Sequence, residues 1–179
     1  MEPVRISESM SSEPVSFRLA TVSDIDAIFD IWIGPTSEYF GLDSRDYFRL
    51  KEQFIGWFTM RESVFNYWVA EDHEQKIVAW NSFSRISQHP IKRNHRAEFS
   101  TYVHKDHRGN GVGSRLLAHC IEQARNNPEL ELIYGHVSAS YSRMIHMLEK
   151  LGFEKVGVIP KTSKRLGDYD RLLYVYRLD

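Results

Sequence analysis

The chain has 179 residues, 42% apolar, 26% charged and 13% aromatic, with a formal net charge of −1. That length suits one domain with a genuine core. The balanced charge excludes a nucleic-acid binder that works by general basicity, because neutralising phosphates takes a surplus of Lys and Arg. Mean hydropathy is −0.43, and no stretch approaches the roughly 20 apolar residues of a membrane span. Cys120 is the single cysteine, so no internal disulfide can form. Met1 to Glu13 carry no apolar stretch of the signal-peptide kind. Residues 1–14 read as a flexible tail ahead of one domain over 15–179, and a cytoplasmic protein without membrane or nucleic-acid partners is expected.

Val15, Phe17 and Leu19 alternate with polar residues, the pattern of a half-buried strand. Thr21 stands three residues before Asp24, an N-terminal capping arrangement. Ile25, Ile28, Phe29 and Trp32 then predict a helix that Gly34-Pro35 ends. Tyr47, Leu50, Phe54, Trp57 and Phe58 repeat the helical spacing, and Tyr67–Ala70 with Ile77–Phe83 predict a hairpin. Gln88–Arg96 holds Pro90 and five basic or His residues and reads as a loop. Ala97–Val103 predicts a strand, with Ala97, Phe99, Thr101 and Val103 on one face and Glu98, Ser100 and Tyr102 on the other. Val112, Leu116, Leu117 and Ile121 mark a helix running to about Asn126, and Leu132–Val137 a strand. Met144, Ile145, Leu148 and Leu151 describe a helix closed by Gly152 at its C′ position. Phe153–Val158 and Arg171–Tyr176 supply the last two strands. The order is β-α-α-β-β-β-α-β-α-β-β, without an internal repeat.

The most informative stretch is His107-Arg108-Gly109-Asn110-Gly111-Val112-Gly113-Ser114-Arg115-Leu116-Leu117, which joins a strand to a helix. Amides at a helix N-terminus lack intrahelical partners and carry the positive end of the dipole, so they bind phosphate. Glycine lets a ligand approach the main chain, and a neighbouring Arg adds charge-assisted contacts. The turn therefore looks like a pyrophosphate cradle. A P-loop would need Gly-Lys-Ser/Thr, but Gly113 is followed by Ser114-Arg115. A G-x-G-x-x-G fingerprint fails because Ser114 and Leu116 stand where the third glycine belongs. What remains is Arg-x-x-Gly-x-Gly from Arg108 to Gly113.

That motif lies within the run Arg96-Ala97-Glu98-Phe99-Ser100-Thr101-Tyr102-Val103-His104-Lys105-Asp106-His107-Arg108-Gly109-Asn110-Gly111-Val112-Gly113, and Glu149-Lys150-Leu151-Gly152-Phe153 follows later. Together they resemble the GNAT acetyltransferases, with the phosphinothricin/methionine-sulfoximine N-acetyltransferase branch looking closest. The resemblance extends from about Val15 to the C-terminus. It implies an α/β fold with a mixed, mostly antiparallel seven-stranded sheet, splayed at the cofactor site and flanked by four helices. It also implies acetyl-CoA as co-substrate, with no metal. Main-chain groups of Thr101, Tyr102 and Val103 would hold the pantetheine arm and acetyl carbonyl. Arg108 and the amides of Gly109, Asn110, Gly111, Val112, Gly113 and Ser114 would hold the pyrophosphate. Tyr141 stands where the family usually places an Asn that contacts CoA. Leu148 stands where many members carry a Tyr thought to protonate the departing thiolate.

Direct transfer needs the amine neutral when it attacks, so some group must take a proton. In the phosphinothricin branch a strand Glu does this, and Glu98 occupies that position. Arg85 falls where the branch holds an arginine suited to a substrate carboxylate, which it would grip bidentately; a solvated loop arginine is the equal alternative. Tyr39 and Phe40, following the Gly-Pro pair, are candidates to line the acceptor cleft. The eight histidines show no metal-ligand spacing, and Cys120 reads as a core thiol. The expected function is acetyl transfer to the primary amine of a small amino-acid-like acceptor, of the phosphinothricin or methionine sulfoximine/sulfone type. The alternatives are a protein or peptide N-terminal or polyamine acetyltransferase, and a catalytically silent acyl-CoA-binding domain, which retention of Glu98 argues against. The resemblance also allows a homodimer. Near the end, members often carry a Trp-containing turn where this chain reads Arg165-Leu166-Gly167-Asp168-Tyr169-Asp170.

Overall fold

The computed structural model describes residues 14–40, 42–85, 93–161 and 169–178, with only the main chain of Glu38, Tyr39, Phe40 and Ser44. Nearly all of the expected tail, residues 88–92 of the expected loop and residues 165–168 of the C-terminal departure lie outside the described residues. Elements follow the predicted order. They are β1 (Ser16–Leu19), α1 (Ile25–Phe40), α2 (Ser44–Thr59), β2 (Tyr67–Glu71), β3 (Ile77–Arg85), β4 (Arg96–Val103), α3 (Val112–Ala124), β5 (Leu132–Ser138), α4 (Ser142–Lys150), β6 (Glu154–Ile159) and β7 (Arg171–Arg177). The strands form one seven-stranded sheet in the order β1-β2-β3-β4-β5-β7-β6. Every neighbouring pair is antiparallel except β4 and β5, which are joined through α3 and run parallel.

The signals at chain turns act as read. Thr21 and Asp24 form a capping box, with Asp24 accepting from the Thr21 amide at 2.6 Å. Asp43 caps α2 by accepting from the amides of Arg45 and Asp46. At the end of α4, Gly152 adopts φ +90°. Its amide reaches the Glu149 carbonyl and that of Phe153 the Leu148 carbonyl, the paired bonds of a Schellman stop.

One expectation is corrected. Gly34-Pro35 does not end α1, which continues to Phe40 with Pro35 inside it. Proline removes the donor that would serve the Ile31 carbonyl. Hydroxyls of the same turn bond neighbouring carbonyls: Thr36 Oγ1 donates to the Trp32 carbonyl at 2.7 Å and Ser37 Oγ to that of Gly34 at 2.9 Å. Ile28, Phe29, Ile31 and Ile33 are all buried, so packing on the sheet outweighs the local break.

Two helix pairs cover opposite faces. On the front, Phe29, Phe54 and Phe58 of α1 and α2 pack on Val69 and Trp80. On the back, Leu116, Leu117 and Cys120 of α3 and Leu148 of α4 pack with Ala97, Phe99, Ile133 and Tyr174. Cys120 is a fully buried core thiol, as the sequence suggested.

Between the faces the sheet parts. The β4–β5 ladder holds only Arg96↔Leu132, Ala97↔Ile133 and Glu98↔Tyr134. Yet β4 stays paired with β3 through Val103, and β5 with β7 through Ser138. Beyond Glu98 the two strands therefore diverge into an open wedge. Beneath its vertex the Phe99 ring reaches across to β5 and packs on Phe153 at 5.3 Å. This crossing requires glycine at 135, since a Cβ there would stand 2.3 Å from the Phe99 ring. We expect Gly135→Ala to cost about 1–3 kcal/mol of stability by overpacking. Urea titration should show a lower midpoint; an unchanged midpoint would mean that the ring simply moves aside.

Candidate active site

The wide end of the wedge leads into the glycine turn. After β4, the His104 amide donates to the Val78 carbonyl at 2.8 Å, and Arg108 Nε donates back to the Val103 carbonyl at 3.0 Å. Gly109 and Gly111 then take φ +89° and +73°, a backbone region that disfavours side chains. Gly113 has a different reason. A Cβ there would meet Val103 Cγ2 at 3.0 Å, so glycine lets the first turn of α3 sit directly on β4. Buried Asn81 fixes the same stretch of β4, its side-chain amide bonded to Thr101 Oγ1 at 2.7 Å.

No side chain caps α3: its N-cap is Gly111. The amides of its first turn are thus donors without intrahelical partners at the positive end of a dipole. A Cβ at Gly109 or Gly111 would meet no protein atom within 4 Å. Space, donors and the Arg108 charge fit a diphosphate, and the edge of β4 that β5 leaves beyond Glu98 fits an extended arm that bonds like a strand.

Glu98 stands at the wedge vertex, on the front face. Its carboxylate Oε1 lies 3.2 Å from His136 Nδ1 of β5, with the two side chains 38% and 32% exposed. Both groups therefore meet solvent and any ligand in the wedge. Their partners on this face follow from register: Ser84 and Tyr134 flank Glu98, and Ser82 and Trp80 flank Ser100 and Tyr102. Burial, helped by the Glu98 charge, pushes the Tyr134 hydroxyl up to about 12. Tyr102 stacks on Trp80 at 4.8 Å. Burial raises its hydroxyl too, opposed by a hydrogen bond from Trp32 and by the charge of Arg171. Both phenols thus stay neutral near pH 7.

Arg85 is not brought to Glu98. In register it pairs with Ala97 while Ser84 pairs with Glu98, so Arg85 points to the back face. There Nη2 donates to Glu62 and Nε to Asn94, both at 3.0 Å, and the guanidinium lies 4.1 Å from the Phe65 ring centre. It borders an open cavity of about 550 Å³ near the C-terminal end of α3, shared with Gln123 and Asn127. This corrects its expected place in the acceptor cleft. The side chains of Tyr39 and Phe40 lie outside the described residues; their main chain belongs to α1, not to a loop after a break. Tyr141 is the N-cap of α4, 63% exposed, with no capping bond from its side chain. Leu148 is fully buried in the core of the back face. His136 is the site residue that the sequence reading missed.

Residues 25–153 match the model of the acetyltransferase (GNAT) family, and the chain belongs to that family. It is 30% identical over 157 residues to YwnH of Bacillus subtilis (strain 168), provisionally assigned as a phosphinothricin acetyltransferase, covering 86% of this chain and 92% of that one. It is 27% identical over 128 residues to the L-amino acid N-acyltransferase MnaT of Escherichia coli (strain K12), covering 68% and 69%. The solved structure of yncA from Salmonella typhimurium, a provisionally assigned acetyltransferase with its cofactor acetyl-CoA, shares the fold. Its TM-score is 0.75 at 20% identity, over 92% of this chain and 94% of that one.

Proposed function

We propose that this acetyltransferase moves the acetyl group of acetyl-CoA directly onto the primary amine of a small amino-acid-like acceptor, with Glu98 as general base. The observation that carries this reading is the Glu98–His136 pair at the vertex of the wedge. The names of MnaT and YwnH support the acceptor class.

Acetyl-CoA supplies an acetyl group activated as a thioester. The amides of residues 109–114, with Arg108, would hold its pyrophosphate, and the main chain of Thr101, Tyr102 and Val103 its pantetheine arm. Tyr141 would contact the same ligand from the start of α4. Glu98 takes the proton that the amine must lose as its nitrogen forms the new C–N bond. With Glu98 ionised, His136 Nδ1–H donates to Oε1 and fixes the carboxylate, leaving the other oxygen to accept that proton. His136 is thus a positioning residue. Because Leu148 cannot donate, Tyr141, solvent or the nascent ammonium would supply the thiolate's proton.

The test is thiol release across methionine sulfone, methionine sulfoximine, phosphinothricin, polyamines and peptides with free N-termini. We expect the amino-acid analogues to give the highest kcat/KM. A preference for polyamines or peptides would overturn the acceptor reading while leaving acetyl transfer intact.

A further inference from the structure

Arg171 opens β7 and pairs in register with Ser138 of β5 and Ile159 of β6. Ser138 lies four residues beyond Tyr134, which pairs with Glu98. Side chains alternate along a strand, so Arg171 shares the front face with Glu98 and His136. Its level is the open part of the wedge, about 13 Å along β5 from the vertex. Arg171 is exposed, and its side chain makes no hydrogen bond or ion pair among the described residues. Its charge nevertheless reaches across the wedge to the Tyr102 hydroxyl.

The front face also holds Arg96, two residues before Glu98, and Arg177 of β7, which pairs with Leu132 as Arg96 does. Arg96 pairs with Leu132, inside the closed part of the ladder, and its charge is felt at Tyr134. A ligand whose amine enters the wedge leaves the rest of its backbone on the open side, toward Arg171. An amino acid held in the wedge would lie between Glu98 at the vertex and Arg171 at the open end. A zwitterion placed there matches both ends: its ammonium faces the carboxylate of Glu98 and its carboxylate faces a planar guanidinium suited to two parallel bonds.

We propose that Arg171 grips the acceptor's carboxylate and so selects free α-amino acids over polyamines and amides. The assignment rests on the amino-acid reading above, and Arg171 is a specificity-determining residue, separate from proton transfer.

The experiment compares methionine sulfone with its carboxamide in the wild type and in Arg171→Ala, Arg171→Lys and Arg96→Ala. The wild type should prefer the acid. Arg171→Ala should raise KM for the acid about tenfold to a hundredfold, the range a charged hydrogen-bond pair supports. Its kcat should change far less, and the preference for acid over amide should collapse. Arg171→Lys, with charge but no fork, should fall between, and Arg96→Ala should keep the wild-type preference. Acetyl-CoA affinity by calorimetry reports on the integrity of each variant; a loss there in Arg171→Ala would count against a role confined to the acceptor. If the wild type prefers acid and Arg171→Ala still does, or if Arg96→Ala abolishes the preference, the Arg171 assignment is wrong and the amino-acid reading stands. If the wild type itself uses amide as well as acid, the amino-acid reading fails and Arg171 with it.

Discussion

Glu98→Gln is expected to lower turnover by about 10²–10⁴, the usual contribution of a general base. Gln has nearly the same shape and still bonds to His136, so the 3.2 Å contact at the vertex should survive. What it loses is the ability to take a proton from the amine. Acetyl-CoA affinity should stay close to wild type, because the 109–114 turn lies at the far end of the wedge. The residual rate should climb with pH as more of the acceptor arrives already deprotonated. Replacing His136 with Asn should slow the reaction less, since it positions the carboxylate and does not receive the first proton. Combining the two should cost little more than Glu98→Gln alone, because residues that act as a unit are not additive. Full activity of Glu98→Gln at neutral pH would mean that the amine needs no base and that Glu98 is structural.

Gly111→Val should weaken acetyl-CoA binding at least tenfold, or about 1.4 kcal/mol, while the domain remains folded. At φ +73° a β-branched residue is strained, by roughly 1–3 kcal/mol. No protein atom lies within 4 Å of the new Cβ, so the fold need not be disrupted by a clash. The bulk instead enters the space through which a pyrophosphate would approach the α3 amides. Titration calorimetry with circular dichroism separates the two effects. Unchanged affinity in a folded variant would remove the cradle assignment. Gly113→Val is a different experiment, because its Cβ meets Val103 at 3.0 Å and should perturb packing as well as binding.

Features set by near neighbours in the chain could be read directly. The Thr21–Asp24 box, the Gly152 stop and the apolar stripes of α2, α3 and α4 all depend on spacings of a few residues, and the structure repeats them. Pro35 misled because what carries the helix past it is tertiary burial of Ile28, Phe29, Ile31 and Ile33, which no local signal shows. Arg85 misled by one residue of parity. It shares its face with buried Phe83 two positions earlier, so alternation within β3 already pointed it backward. The Glu98–His136 pair was hidden for a different reason. Period two places Tyr134, His136 and Ser138 on one side of β5, but not beside β4. That neighbourhood follows from the right-handed crossover through α3, a long-range fact. The early end of the β4–β5 ladder is likewise invisible to periodicity, and it is the feature that makes the wedge.

The central claim is direct transfer to an amine held at Glu98. It is tested most directly by following one reaction of wild-type protein, acetyl-CoA and methionine sulfone by mass spectrometry alongside thiol release. One N-acetylated acceptor is expected for each thiol set free, with no acetyl group retained on the protein. Thiol released without acetylated amine, or an acetyl group trapped on the chain, would contradict it.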